Sequence, residues 1–354
     1  MASFDSIPTS TRRLALSGVL FVALTAVGLY IVYEQMAQQE LAFDTRLLHP
    51  WVILAVLAML GLYYGSDALR LHYTLKALGH HLPFASVLRL VFINLFFSNI
   101  TPMATGGGFA QIWYLKRQGV HVGHATAATT IRTLLAVAFI FTLTPVCLLT
   151  LPALDGEVIG RDIGLALSLF IFLYLGFFAI VFFRTRWLIG PLSGLLSRLH
   201  RLHLISEQRH RRWQYKARRE MLRFSTSFGL YWRGGARYVL LSIIFTGLFL
   251  LTMFSFPALL IVALGYSVDY LTTLGLLLVT TFVMYFSPTP GASGISEGLF
   301  GRFFRDILGG QHLLLVTVAW RLLTIYLGMI IGLLLFRRTL HEELLSAREH
   351  DKAS

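Results

Sequence analysis

Residues 285–300 read Tyr-Phe-Ser-Pro-Thr-Pro-Gly-Ala-Ser-Gly-Ile-Ser-Glu-Gly-Leu-Phe, a stretch that cannot stay helical yet sits inside apolar sequence. Pro288 and Pro290 lack an N–H, and Gly291, Gly294 and Gly298 accept backbone angles that other residues avoid. A helix running in from about Leu271 must therefore break here. In a bilayer, such a break is tolerated only where protein or a watery cavity receives the freed backbone groups. A second copy lies upstream, Ser98-Asn99-Ile100-Thr101-Pro102-Met103-Ala104-Thr105-Gly106-Gly107-Gly108-Phe109-Ala110-Gln111, and Thr289-Pro290 follows Thr101-Pro102 by 188 positions. The register continues: Arg132 stands 31 positions after Thr101 and Arg321 stands 32 after Thr289, each inside an apolar run, 125–149 and 312–336. Self-similarity at so long a period points to an internal repeat.

Composition decides the solvent. With 56% hydrophobic and 13% charged residues over 354 positions and a mean hydropathy of +0.69, the chain is too apolar for a soluble protein and reads as one polytopic membrane domain, 1–354. The single cysteine, Cys147, gives no disulfide framework and no cysteine metal site within one chain. The net charge of +13 is concentrated: 184–223 holds eleven Lys and Arg against Glu207 and Glu220. In a membrane protein that is a cytoplasmic basic segment. Leucines at helical spacing, with Trp187, Trp213 and Tyr215, would let it lie on an anionic lipid surface; the plainer alternative is a positive-inside loop. Nucleic acid is not an expected partner.

Taken in order, 14–33 follows Arg12-Arg13 and is long enough to cross a bilayer; no small-residue cleavage site follows, so a retained helix is expected rather than a signal peptide. The loop 34–50 is acidic, 51–69 crosses back, and Arg70, Lys76 and Arg89 follow it. Lysine and arginine asymmetry then puts the N-terminus inside and 34–50 outside. A full crossing at 84–100 would leave Lys116 and Arg117 outside, so a re-entrant hairpin over about 84–118 is expected. Runs at 122–151, 163–183, 237–264 and 312–336 complete six spans; a second hairpin over about 270–304 enters from the outer face, and a cytoplasmic tail, 337–354, ends the chain. This places Arg302 and Arg305 outside, beside Asp306. The expected fold is thus all-α, with about six spans and two opposed re-entrant hairpins in an inverted repeat, first repeat 14–151 and second 163–336.

Arg132 and Arg321 are the sharpest chemical signals. An arginine at the centre of a spanning helix costs about 2.5–3.5 kcal/mol on insertion scales, so it faces a partner or a wet cavity. Its planar fork suits phosphate, which makes both arginines candidates for binding an anionic headgroup. The structural alternative is a salt bridge or a clamp onto hairpin carbonyls. Glu297 and Gln111 follow the two breaks, where a carboxylate or amide can cap free N–H groups, bind a headgroup or couple to protons. Thr101, Pro102, Gly106, Gly107, Gly108, Pro288, Thr289, Pro290, Gly291 and Gly294 build the breaks, whose free N–H groups suit anions. Asp67, Asn94 and Asn99 are expected to make helix-to-helix hydrogen bonds. The histidines, including His80, His121 and His124, lie in polar segments without metal-ligand spacing, and neither a metal nor a cofactor is expected. Nothing resembles a soluble catalytic domain.

The two signatures, Thr101-Pro102-Met-Ala-Thr105-Gly106-Gly107 with Gln111 and Leu115, and Pro288-Thr289-Pro290-Gly291-Ala-Ser-Gly294 with Glu297-Gly298, together with Arg132 and Arg321, resemble the flippase-like membrane proteins related to the N-terminal membrane domain of bacterial lysyl-phosphatidylglycerol synthase. The resemblance spans nearly the whole chain. It implies translocation of a phospholipid or lipid-linked substrate between leaflets of a bacterial inner membrane. The full synthase carries a soluble transferase domain after its membrane part, whereas this sequence ends at Ser354 with a short tail, so no transferase chemistry is expected of it. Two alternatives stay open: a membrane subunit serving a separate lipid-modifying transferase, and a secondary transporter of a non-lipid anion, whose mark would be proton or sodium dependence sensitive to Glu297→Gln.

Overall fold

A computed structural model describes residues 44–151 and 228–353, with backbone only beyond 340, together with isolated positions at 19, 23, 165, 166, 169, 171–174, 176, 215 and 226. Apart from those isolated positions, the expected spans 14–33 and 163–183 and the basic segment 184–223 lie outside the described residues. Among those described there is no strand. Four helices are long and apolar enough to cross a membrane, and the chain is an all-α, multi-pass membrane protein. They are α1 (Pro50–Ala77), α4 (Val122–Thr150), α5 (Ala236–Ala263) and α8, which runs through Gly310–Arg321, a π-helical turn at Leu322–Tyr326 and Leu327–Ala353. Between them stand two interrupted pairs: α2 (Phe84–Ile100) with α3 (Thr105–Arg117), and α6 (Tyr270–Met284) with α7 (Ile295–Phe304).

α1 corrects one boundary. The expected span ended at Leu69 with Arg70 beyond it, but the helix continues to Ala77 and buries Arg70 at 6% exposure. Asp67, one turn earlier on the same face, pairs with Arg70 and lets the helix carry the charge inward.

Helices from before residue 151 pack against helices from after residue 235. α1 packs along α5, α2 along α8, and α4 along α6. In lipid no hydrophobic force drives helices together, so close approach must come from small residues and shape. Gly328 and Gly332, four apart on α8, supply it: a Cβ at Gly332 would stand 2.0 Å from the Phe92 carbonyl oxygen of α2. Aromatic rings fill the α1–α5 seam, where Tyr63 stacks on Phe249 at 5.1 Å and meets Phe256 edge-on at 5.9 Å. Leu54, Leu57, Leu143, Val146, Leu240, Ile244, Ile330 and Leu334 are exposed, a surface suited to lipid tails.

The two ends are held by polar contacts. At one end His312 Nε2 lies 3.2 Å from Asp44 Oδ2 and its Nδ1 lies 2.7 Å from the Tyr266 hydroxyl, which also accepts from the Gly309 N–H at 3.3 Å. These bonds gather the entry to α1, the loop before α6 and the start of α8. Asp269 caps α6 by accepting from the N–H groups of Leu271 and Thr272 and from the Thr272 hydroxyl, which lowers its carboxyl below the usual range. Hydrogen bonds from Arg46 hold Asp44 well below that range too. At the other end, His80 Nε2 is 2.7 Å from His124 Nδ1, which joins the loop before α2 to the start of α4. Burial and the neighbouring histidines lower the His80 pKa.

Consequently α2 begins and α3 ends at the His80 end. α6 begins and α7 ends at the Asp44 end. The two interruptions come together between these ends, Pro102–Ala104 against Pro290–Ala292.

Candidate functional site

Each interruption turns on the same four residues, Thr-Pro-x-Ala. After Pro102, Met103 and Ala104 are left-handed at φ 53 and 53; after Pro290, Gly291 and Ala292 are left-handed at φ 57 and 52. The alanine N–H closes onto the threonine carbonyl in both, at 3.2 Å from Ala104 to Thr101 and at 3.1 Å from Ala292 to Thr289. Proline followed by a left-handed residue is the pattern of a type II turn, in which glycine is the ordinary third residue. Met103, Ala104 and Ala292 therefore store backbone strain of order 1–3 kcal/mol each.

The turns then diverge. Thr105 enters α3 directly, with Thr101 Oγ1 accepting from the Gly106 N–H at 2.8 Å. Ser293 stays extended and Gly294 takes φ 85 before α7 begins, with Thr289 Oγ1 donating to the Ser293 carbonyl at 3.0 Å. Gly107 lets α3 press on α2, because a Cβ there would lie 1.8 Å from Ser98 Oγ. Gly108 faces open space, Pro288 is exposed and Pro290 is buried.

Arg132 does not wait for a partner. Its Nη2 lies 2.6 and 2.7 Å from the two carboxylate oxygens of Asp67, and its Nη1 donates to Gln111 Oε1 at 3.0 Å. Gln111 Nε2 in turn donates to Asn94 Oδ1 at 2.7 Å, which also accepts from the Ser98 hydroxyl at 3.2 Å. Arg70 Nε joins from the other side, 2.5 Å from Asp67 Oδ1, and its guanidinium lies 4.0 Å from the centroid of the Phe249 ring. One network thus ties α1, α2, α3 and α4 together.

Arg321 makes the second network. Its Nε is 2.8 Å from Glu297 Oε1, while its Nη2 donates to the Gly291 carbonyl at 3.0 Å and to Ser293 Oγ at 3.4 Å. Both side chains are fully enclosed, at 0% exposure. Glu297 Oε2 accepts from the Gly294 N–H at 2.7 Å and from Ser296 Oγ at 2.8 Å, so this carboxylate caps α7 and holds the arginine at once. The π turn begins at the next residue. Two of its carbonyls, those of Leu323 and Thr324, accept from the hydroxyls of Tyr64 and Tyr63 on α1 at 3.2 and 3.4 Å. Tyr63 lies one turn from Asp67, so α1 bridges the two networks.

Of the residues singled out in the sequence, Arg132 meets Gln111, and Arg321 meets Glu297 and Gly291. Glu297 caps its half-helix; Gln111 lies well inside α3 and does not. Asn94 bonds between helices as expected, but Asn99 Nδ2 donates to Leu95 O within its own helix at 2.8 Å. Asp67 also bonds between helices as expected, as the ion-pair partner of Arg132. Arg70 has no place among the sequence candidates, although an Asp-x-x-Arg spacing inside an apolar helix marks it.

The family model described as "Lysylphosphatidylglycerol synthase TM region" matches residues 14–332. A "UPF0104 membrane protein" of Archaeoglobus fulgidus is 23% identical over 313 residues, covering 87% of this chain and 93% of that relative. Two interrupted helices, an arginine beyond each, and a match across nearly the whole length lead to one assignment: the chain belongs to the lysylphosphatidylglycerol synthase TM region family.

Proposed function

We propose that the protein moves an anionic or modified lipid between the leaflets of its membrane. Arg132 and Arg321 contact the headgroup phosphate, Gln111 and Glu297 stand beside them, and the two breaks act as opposed gates. The observation that carries this reading is the meeting of the two interrupted helices at their breaks, with a buried arginine bound to a member of each pair. On this reading, 84–118 and 270–304 are re-entrant hairpins from opposite faces, and 14–151 and 163–336 are inverted halves, as in alternating-access transporters. The lysine and arginine bias puts the His80 end and both termini in the cytoplasm.

At rest each arginine holds a carboxylate. A phosphate presents the same fork of oxygens, so it is the ligand that can exchange for one. Exchange at Arg321 frees Glu297 and the Gly291 carbonyl together, which loosens the second break. The family description also favours a second role, as the membrane subunit of a lipid-modifying system; co-purification of a soluble transferase would support it.

The test is leaflet exchange of headgroup-labelled phosphatidylglycerol in liposomes containing the purified protein, beside a folded Arg132→Gln, Arg321→Gln variant. Loss of two charge-assisted contacts is expected to slow exchange by at least about a hundredfold. Equal rates would remove both arginines from the proposed role. No exchange by either protein would favour the subunit reading.

A further inference from the structure

We infer that Arg70 and Tyr285 complete, with Arg132, a resting site for one monoanionic phosphodiester group. The inference rests on the translocation reading only for the origin of its ligand. Among the described residues the buried charges are Arg70, Arg132 and Arg321 against Asp67 and Glu297. Arg321 and Glu297 neutralise each other. The remaining three sum to one positive charge, so the excess belongs to the cluster of Asp67, Arg70 and Arg132.

Hydrogen bonding gives the same answer by another route. Both oxygens of Asp67 are taken by Arg132, and one is shared with Arg70. Among the described residues, Arg70 Nη1 and Arg132 Nε nonetheless have no hydrogen-bond partner, and the two side chains are 6% and 5% exposed. A buried cation without a counter-charge is strongly unfavourable, and an anion that accepts from both arginines removes the deficit.

Tyr285 supplies the approach. It stands at the entry to the second break, 41% exposed, and its ring lies 6.2 Å from that of Phe141 on α4, the helix that carries Arg132. The site therefore takes two guanidinium groups from the first half and a phenol from the second. A phosphodiester carries one charge and two non-bridging oxygens. A phosphomonoester carries about −1.5 to −2 at neutral pH and would over-fill the site.

The experiment is binding of radiolabelled dioctanoyl phosphatidylglycerol to the full chain in detergent, with the thermal midpoint measured with and without the lipid. Wild type is expected to bind one lipid per chain. Arg70→Gln is expected to weaken binding about tenfold or more, and Tyr285→Phe severalfold. A purely structural Arg70 would lower the midpoint of the ligand-free protein when replaced. Removal of an excess charge instead leaves that midpoint at or above wild type and abolishes the rise on adding lipid. Arg70→Lys, which keeps the charge without the fork, is expected to fall between.

Glycerophosphoglycerol, the headgroup ester alone, separates the sources. Weak competition assigns the site to a lipid, and competition equal to the lipid's assigns it to a soluble phosphodiester. Unchanged binding by Arg70→Gln, or dioctanoyl phosphatidic acid binding more tightly than phosphatidylglycerol, overturns the proposal. Binding that depends on Arg70 without any leaflet exchange would leave this site standing and remove translocation instead.

Discussion

Asp67→Asn is expected to destabilise the protein by about 3–5 kcal/mol, the cost of leaving a buried charge without its partner. The substitution keeps the shape and removes the only negative charge that pairs with Arg70 and Arg132 among the described residues. Both guanidinium groups touch this carboxylate, at 2.5 Å and at 2.6 and 2.7 Å, so two cations would be left facing each other among apolar helices. The loss should appear as a fall in the thermal midpoint of the detergent-solubilised protein. Adding Arg132→Met leaves one buried cation instead of two, so the double variant is expected to be more stable than Asp67→Asn alone. If Asp67→Asn melts with wild type, the carboxylate does not hold the arginines.

Replacing Arg321 with methionine is expected to cost a similar amount, about 3–5 kcal/mol, and to act on the second break. The same guanidinium pairs with Glu297 and holds the Gly291 carbonyl at 3.0 Å, so its loss leaves an enclosed carboxylate and an unclamped turn. Glu297→Gln spares a cap oxygen but leaves Arg321 unpaired at 0% exposure. The two changes remove one interaction, so the double variant should lose less than the sum of the singles, by up to about 3 kcal/mol in thermal or denaturant unfolding. Strict additivity would mean that the pair does not interact in solution.

These expectations show which physics is legible in a sequence. Proline and glycine act on the backbone where they stand, so both breaks could be placed from residues 98–111 and 285–300. A charge inside an apolar run is equally local, which makes Arg132 and Arg321 conspicuous, and a glutamate soon after a break suits a helix cap. The partners are another matter. Asp67 lies 65 positions from Arg132, and nothing in either neighbourhood says that they meet. Arg70 was misplaced for a physical reason: charge asymmetry treats a cation as the edge of a span, but a carboxylate three residues earlier lets the helix continue past it. The π turn after Arg321 is invisible because its freed carbonyls are satisfied by tyrosines of α1, more than 250 positions away. Nor does the sequence reveal that α1 packs along α5, α2 along α8 and α4 along α6, since that depends on which faces fit.

The central claim is that the meeting breaks must part for a lipid to pass. One cysteine introduced within 102–104 and another within 290–292, with the native Cys147 replaced by alanine, allow the breaks to be joined by a short reducible thiol crosslinker in the purified protein. Leaflet exchange of headgroup-labelled phosphatidylglycerol is then measured in the same liposomes before and after reduction. The account predicts that exchange stops while the breaks are joined and returns when the link is cleaved. Exchange at the full rate with the link intact would contradict it.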